Sequence, residues 1–238
     1  MKKIIVLLIL SMPFCSYGQE RKVPDETEPH FKVIAIVNRP NGTVNRQLYY
    51  QLINPTDREI KVVLDPNFLN RHKKFDTALQ DYEIEKRKGQ VRITIQDTEN
   101  NIIPTTYRTT GEVGELYYDS FMEKDPKQFV EKYTQVIKPH SAMEFKTTIP
   151  LIENCIHCKE YMAHTFTYFI KLDTVYQLSM QLNTQEFLDT YGKYIENKES
   201  YYSKPIESKP FYFKDILRKR DDTHDVDLYL DVTSLYSK

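Results

Sequence analysis

Apolar and polar side chains alternate through the stretch from Met143 to Leu182, and this period of two is the clearest structural signal in the chain. Met143, Phe145 and Ile149 fall on one face while Glu144, Lys146 and Thr148 fall on the other, as in a half-buried strand. The pattern returns at Met162, Phe166, Tyr168, Ile170 and Leu172, and again at Tyr176, Leu178, Met180 and Leu182. Between the first two of these strands lies the loop Ile152 to Glu160, which carries Cys155 and Cys158.

The N-terminal half reads the same way. Phe31 to Val37 is nearly continuous in apolar residues, Pro40-Asn41-Gly42 supplies turn chemistry, and Gln47 to Asn54 resumes an extended run. Asn54-Pro55-Thr56-Asp57 is a second turn, and Ile60 to Leu64 is a β-branched strand stopped by Pro66. Asn67 to Phe75 is basic and is expected as a short helix or a loop. Tyr82 and Ile84 alternate with their neighbours, as do Val91, Ile93 and Ile95, so a hairpin is expected across Lys86 to Gly89; a helix over Asp76 to Lys88 is the competing reading. Thr98 to Asn101 reads as a polar turn, and Tyr107 to Glu123 has no legible period.

Two helices are expected. Asp125-Pro126 places an acidic cap before a proline at the first helical position, with Phe129, Val130 and Tyr133 on one side. Phe187, Leu188, Tyr191 and Ile195 have helical spacing behind Thr184, giving a helix over Glu186 to Ile195 with Gly192 weakening its interior, expected against a sheet edge. Lys204 to Ile216 and Val226 to Leu230 return to strand character around a charged turn, Arg218 to Asp225. The fold class is therefore mainly β, with one or two short helices.

Compartment follows from the first residues. Lys2 and Lys3 precede the apolar run Ile4 to Leu10, and Ser16-Tyr17-Gly18 offers small residues before a cut at Gln19, so residues 1–18 read as a cleavable secretory signal. The run is too short to span a bilayer, which takes about 20 apolar residues. A lipoprotein anchored at Cys15 is the alternative, disfavoured by bulky Phe14. Residues 19–30 are rich in charge and proline and read as an exposed lead segment, followed by one domain over 31–238 with insertions. The expected location is periplasmic or secreted, with no transmembrane segment after signal removal.

Composition narrows the partners. The 33 basic and 34 acidic side chains become a net charge of −3 once Lys2 and Lys3 are removed, which gives nucleic acid nothing to bind. No tryptophan, 18 tyrosines and only 6 glycines fit an ordered β-rich chain, since tyrosine suits strand faces with one apolar side and one wet edge.

The segment Leu48 to Leu64 resembles the paired early strands of bacterial immunoglobulin-like envelope domains, in which an apolar strand ends in an Asn-containing turn before a short strand. Val136-Ile137-Lys138-Pro139-His140 leading into Met143 to Ile149 is similar to the proline turn before a late strand, and Ser208 to Phe213 to a closing strand. The resemblance implies an antiparallel immunoglobulin-like β-sandwich. It transfers no activity and no site, because that family shares a fold and no single chemistry. The chain lacks the tryptophan and the widely spaced cysteine pair of antibody domains.

Cys155-Ile156-His157-Cys158 is the sharpest chemical motif. In an oxidising compartment a Cys155–Cys158 disulfide that stiffens a hairpin crossover is the expected state. A redox role needs a thiolate at a helix N-terminus in a βαβ setting, and strands flank this motif. Haem attachment is excluded because Lys159 stands where histidine is required. A copper(I) or zinc site would recruit Cys155, Cys158 and His157 or His164, although His164 shares the apolar face of Met162 and Phe166. Asp221, Asp222, His224, Asp225 and Asp227 could hold calcium, but lack the glycine and spacing of an EF-hand loop. The basic groups Arg71, His72, Lys73, Lys74 and Lys86 to Lys88 read as solvated surface. No nucleophile elbow, phosphate loop or His-Glu-x-x-His helix occurs.

The expected role is a non-catalytic binding or structural protein of the bacterial envelope, without cofactor, recognising a protein or peptide through loop ends or an edge strand. The alternatives are a redox or metal-handling protein acting through Cys155, His157 and Cys158, and an inhibitor or immunity protein against a secreted toxin. Oligomeric state and partner identity are left open.

Overall fold

In the computed structural model, which describes residues 26–37, 45–75, 83–84, 88–107, 125–153, 167–171, 174–215 and 229–231, the alternating stretches that fall among these residues become strands. β1 (His30–Val37), β2 (Asn45–Asn54) and β10 (Ser141–Glu153) form an antiparallel trio, and the register of β2 with β10 runs unbroken from Asn54 opposite Ser141 to Asn45 opposite Pro150. Leu48, Tyr50 and Leu52 of β2 point inward and are buried, while Tyr49 between them is exposed. The Tyr50 ring stacks on Phe145 of β10 at 5.3 Å and meets Phe31 of β1 edge-on at 5.9 Å, an aromatic row across three strands.

This trio begins a seven-stranded sheet of order β1-β2-β10-β11-β8-β5-β6, completed by β11 (Thr167–Ile170), β8 (Thr105–Tyr107), β5 (His72–Phe75) and β6 (Glu83–Ile84). The second sheet runs β15 (Tyr229–Asp231), β14 (Phe211–Asp215), β12 (Val175–Leu182), β7 (Val91–Asp97) and β4 (Leu69–Asn70), with β13 (Ile206–Glu207) also on β12. Its inward rows are Tyr176, Leu178, Met180 and Leu182 on β12, Val91, Ile93 and Ile95 on β7, and Phe211 and Phe213 on β14. One continuous apolar cluster draws on both sheets. β13 and β14 share one side of β12, and between them Ser208 replaces ladder groups: its Oγ accepts from Met180 N at 2.8 Å and its own N donates to Met180 O at 2.9 Å. Pro210, which has no N–H to give, sits in that interruption.

β3 (Ile60–Val63) and β9 (Thr134–Ile137) form a small antiparallel pair against which two helices gather. α1 (Pro126–Tyr133) starts as its sequence implies, with the Asp125 carboxylate accepting from Gln128 N at 3.0 Å. α2 (Thr184–Tyr191) is capped by Asn183, whose side chain accepts from Glu186 N at 3.1 Å. It therefore starts earlier than the expected Glu186 and stops at Gly192, where a 3-10 turn to Tyr194 takes over. Its apolar side meets α1 and β3 in a second core of Val63, Phe129, Val130, Phe187, Leu188 and Ile195.

Three pairings are parallel, β10 with β11, β4 with β7 and β5 with β8, so the sheets are mixed where antiparallel ones were expected. The first matters most for the sequence reading. Because β10 and β11 are parallel neighbours, residues 154–166 carry the chain from the end of one to the start of the other and do not close a hairpin; such a connection needs about a dozen residues. The expected hairpin across Lys86 to Gly89 is also replaced. β6 pairs with β5 in the first sheet, and β7 pairs with β12 in the second. The expected helix or loop over Asn67 to Phe75 is instead β4 and β5, a pair of short strands that pass from one sheet to the other across Arg71.

Gly89 explains the failed hairpin. Its φ of +74° is a left-handed conformation, its carbonyl accepts from Asp65 N at 2.9 Å, and a Cβ there would lie 3.1 Å from Phe129 Cε1 and 3.3 Å from Phe187 Cε2. The glycine is thus a close-packed joint between β7 and both helices. Gly89→Ala should cost about 2–4 kcal/mol, from left-handed strain plus displacement of the two rings. A lowered urea midpoint at unchanged m-value would show it; an unchanged midpoint would remove the joint from this account.

Candidate binding groove

The groove is built outward from one buried amide. Asn54 ends β2 with its side chain fully buried, and its Nδ2 donates to Arg58 O at 2.8 Å and to Ile137 O and Lys138 O at 3.1 Å each. Its Oδ1 accepts from Thr56 N at 3.2 Å and Thr56 Oγ at 2.7 Å. One side chain therefore closes the 54–58 turn and ties it to the end of β9. His140 adds to this from outside, its ring contacting Asp57 Oδ1 at 2.8 Å and its N donating to Thr56 O at 3.3 Å.

The turn delivers Arg58 and Glu59 to the head of β3. Alongside β3 runs the 199–204 segment, held where Tyr202 N donates to Lys61 O at 2.8 Å and where Tyr201 bridges Lys61. The Tyr201 hydroxyl lies 3.1 Å from Thr134 Oγ, which donates to Val130 O at the end of α1. Between β3 and this segment is an open cavity of about 400 Å³ lined by Arg58, Glu59, Lys61, Glu199, Tyr202 and Lys204 among others. Among the described residues, Arg58 and Lys61 have no ion-pair partner.

A carboxylate of the chain itself already lies at this groove. Tyr202 Oη donates to Glu28 Oε2 at 3.0 Å and Lys204 Nζ donates to Glu28 Oε1 at 2.6 Å, so both oxygens are held. Burial first, and then the Glu28 carboxylate, push the Tyr202 hydroxyl far above its ordinary range, while Arg58 acts in the opposite sense. Two residues earlier Glu26 pairs with Lys209 at 2.5 Å, and the bond from Lys209 pulls the Glu26 carboxyl below its usual range. Pro29 is buried before β1 begins. The end of the lead segment is thus pinned to residues 202–209.

A second titratable feature lies inside. Asp65, just past β3, is buried; its Oδ1 accepts from Asn67 N at 3.0 Å and Asn67 Nδ2 at 3.1 Å. Burial raises its carboxyl above the ordinary carboxylate range, outweighing the Asn67 bonds and Lys132. The Tyr50 hydroxyl is buried without a hydrogen-bond partner among the described residues, and burial followed by the Asp65 charge pushes it upward.

Cys155, His157, Cys158 and His164 lie outside the described residues, as do the signal at 1–18, Cys15, and the acidic set Asp221, Asp222, His224, Asp225 and Asp227. Among the described residues no group of three or more His, Cys, Asp and Glu side chains is arranged to hold a metal. His72, read as part of a solvated basic cluster, is buried; its Nε2 lies 3.2 Å from Thr94 Oγ, and burial with Arg92 lowers its pKa. Arg58, Tyr202, Lys204 and Glu28 went unsingled in the sequence because they come from three distant segments. Only the Asn54 turn carried a signal. No helix among the described residues is long and apolar enough to cross a membrane. No protein-family model matches the chain, and neither does any curated protein.

Two outcomes are expected. Asn54→Ala should cost about 2–4 kcal/mol, because three carbonyls, one buried and two half-buried, lose their donor; Asn54→Asp should be no better, since it also buries a charge. Equal stability of Asn54→Ala and the parent in urea would refute the hub. For Asp65 the sign is set by the raised pKa: the folded state holds this proton more tightly than the unfolded chain. Its contribution is present in acid and is lost as pH rises from the ordinary carboxylate range through the folded value. Asp65→Asn keeps the oxygen that Asn67 binds, so it should gain stability over the parent toward pH 7 and lose that advantage in acid; a pH-independent difference would contradict this.

Proposed function

We propose that this is an exported, non-catalytic binding or structural protein of the bacterial cell envelope, built as an immunoglobulin-like sandwich and working in the periplasm or outside the cell. The observation that carries the reading is the placement of the described polar chemistry. The inward faces of both sheets feed one apolar core, and among the described residues a concave surface outside it is a groove of exposed arginine and glutamate, lysine and half-buried tyrosine. Such groups at a rim suit recognition of a protein or peptide. The edge strand β1 supports strand addition less well. Its register with β2 shifts between Val33 and Ala35, and an irregular edge resists added strands.

The test has two arms. Tagged protein, purified with its envelope extract under mild crosslinking, should bring down a specific protein that a groove variant, Arg58→Ala with Lys61→Ala, recovers poorly. Native protein should also show no reactive thiol and no bound metal by thiol titration and elemental analysis. Reactive Cys155 and Cys158, or stoichiometric copper or zinc, would replace this reading with the redox or metal-handling one.

A further inference from the structure

The groove beside Tyr202 holds a carboxylate in a way that another molecule could reproduce. Glu28 is held by a hydroxyl on one oxygen and an ammonium on the other, and Glu26 by a second ammonium, so two carboxylates two residues apart are read by Tyr202, Lys204 and Lys209. The charged groups are accessible: the side chains of Lys204 and Lys209 are 62% and 51% exposed, and those of Glu28 and Glu26 are 38% and 68% exposed. Exposed ion pairs are weak and screened by salt, so the two carboxylates can be exchanged while buried Pro29 stays in place behind them.

Charge balance says what would replace it. Among the described residues that line the groove, Arg58, Lys61 and Lys204 against Glu59 and Glu199 leave one positive charge in excess, which Glu28, held by Lys204 at the groove's edge, balances. When Glu28 leaves, the cations are in excess by one, and Lys209 loses its partner as well. The vacated surface is complementary to another segment bearing two carboxylates, and repels a basic one.

We infer that the edge of this groove is a binding site for a short acidic segment of a partner polypeptide, of the kind Glu-x-Glu, and that the chain's own Glu26-Thr27-Glu28 occupies it in cis until such a segment displaces it. This rests on the reading of the protein as a binding module and names the partner's chemistry. Because the competitor is tethered, its effective concentration is in the millimolar range, so a free peptide binds the parent protein poorly by comparison with its intrinsic affinity. Removing the competing carboxylates should therefore improve binding of an outside peptide, which a groove that merely staples the lead would not show.

The experiment uses full-length processed protein and a fluorescent, end-blocked peptide copying residues 24–30, with anisotropy as the readout. Glu26→Ala with Glu28→Ala should bind the peptide about ten-fold or more tightly than the parent, and added salt should weaken that binding. Adding Lys204→Ala and Lys209→Ala should abolish it. Tyr202→Phe, which keeps the ring and removes one donor, should weaken it several-fold, and thermal unfolding of each variant confirms that it is folded. Equal affinity for the parent and the glutamate-less variant, or binding that survives loss of both lysines, overturns the inference. Capture of an envelope partner undiminished by Lys204→Ala and Lys209→Ala would leave the binding-module reading standing and remove only this site.

Discussion

The register of β2 between β1 and β10 is the constraint on which the rest depends. Side chains on a strand alternate strictly, so a slip of one residue would carry Leu48, Tyr50 and Leu52 to solvent and bring Tyr49, Gln51 and Ile53 inside. The aromatic row of Phe31, Tyr50 and Phe145 opposes such a slip, each ring contact adding about 0.5–1.5 kcal/mol beyond its area burial. The same registration fixes where the strand ends. Asn54 arrives opposite Ser141 with its amide aimed at the carbonyls of Arg58, Ile137 and Lys138, and no other register would place it there.

From that amide the groove follows by short steps. The 54–58 turn sets the head of β3, β3 sets where Tyr202 bonds to Lys61, and Tyr202 sets where Glu28 is held. Each step away from the core exchanges a buried bond for a more exposed one. Asn54 is sealed and Tyr202 is half-buried, whereas Lys204 stands largely in water. Buried hydrogen bonds are costly to break and exposed ion pairs cheap, so rigidity declines along the same path that leads from the core to the groove.

The parts of this arrangement governed by period or local chemistry were legible in the sequence. The faces of β2, β7, β10 and β12, the Asn54 turn, and the Asp125-Pro126 start of α1 depend on residues close in the chain. Pairing partners did not show. Nothing within Tyr82 to Ile95 reveals that β6 and β7 belong to different sheets, because the choice is made by the inner face of β12 and by the rings of Phe129 and Phe187 around Gly89. Nor does alternation distinguish parallel from antiparallel neighbours, which is why the loop Ile152 to Glu160 read as a hairpin crossover. β4 and β5 were hidden for a different reason: Arg71, His72, Lys73 and Lys74 look solvated as a run, yet the strand direction turns His72 inward to Thr94. The groove was the least legible part, since Glu28, Arg58 and Tyr202 meet only after three segments have folded.

The buried Asp65 and the exposed Glu28 show how one fold treats the same functional group in opposite ways. Asp65 keeps two bonds from Asn67, yet burial still lifts its pKa, so its charged form is a cost that the surrounding structure has to carry. Glu28 is met by an ammonium and a hydroxyl near the surface, within reach of solvent. A carboxylate that the fold must restrain cannot be exchanged without unfolding part of the core. One held near the surface costs less to exchange, and under the proposed reading this difference in desolvation would put recognition at the rim beside Tyr202 and stability in the interior beside Tyr50.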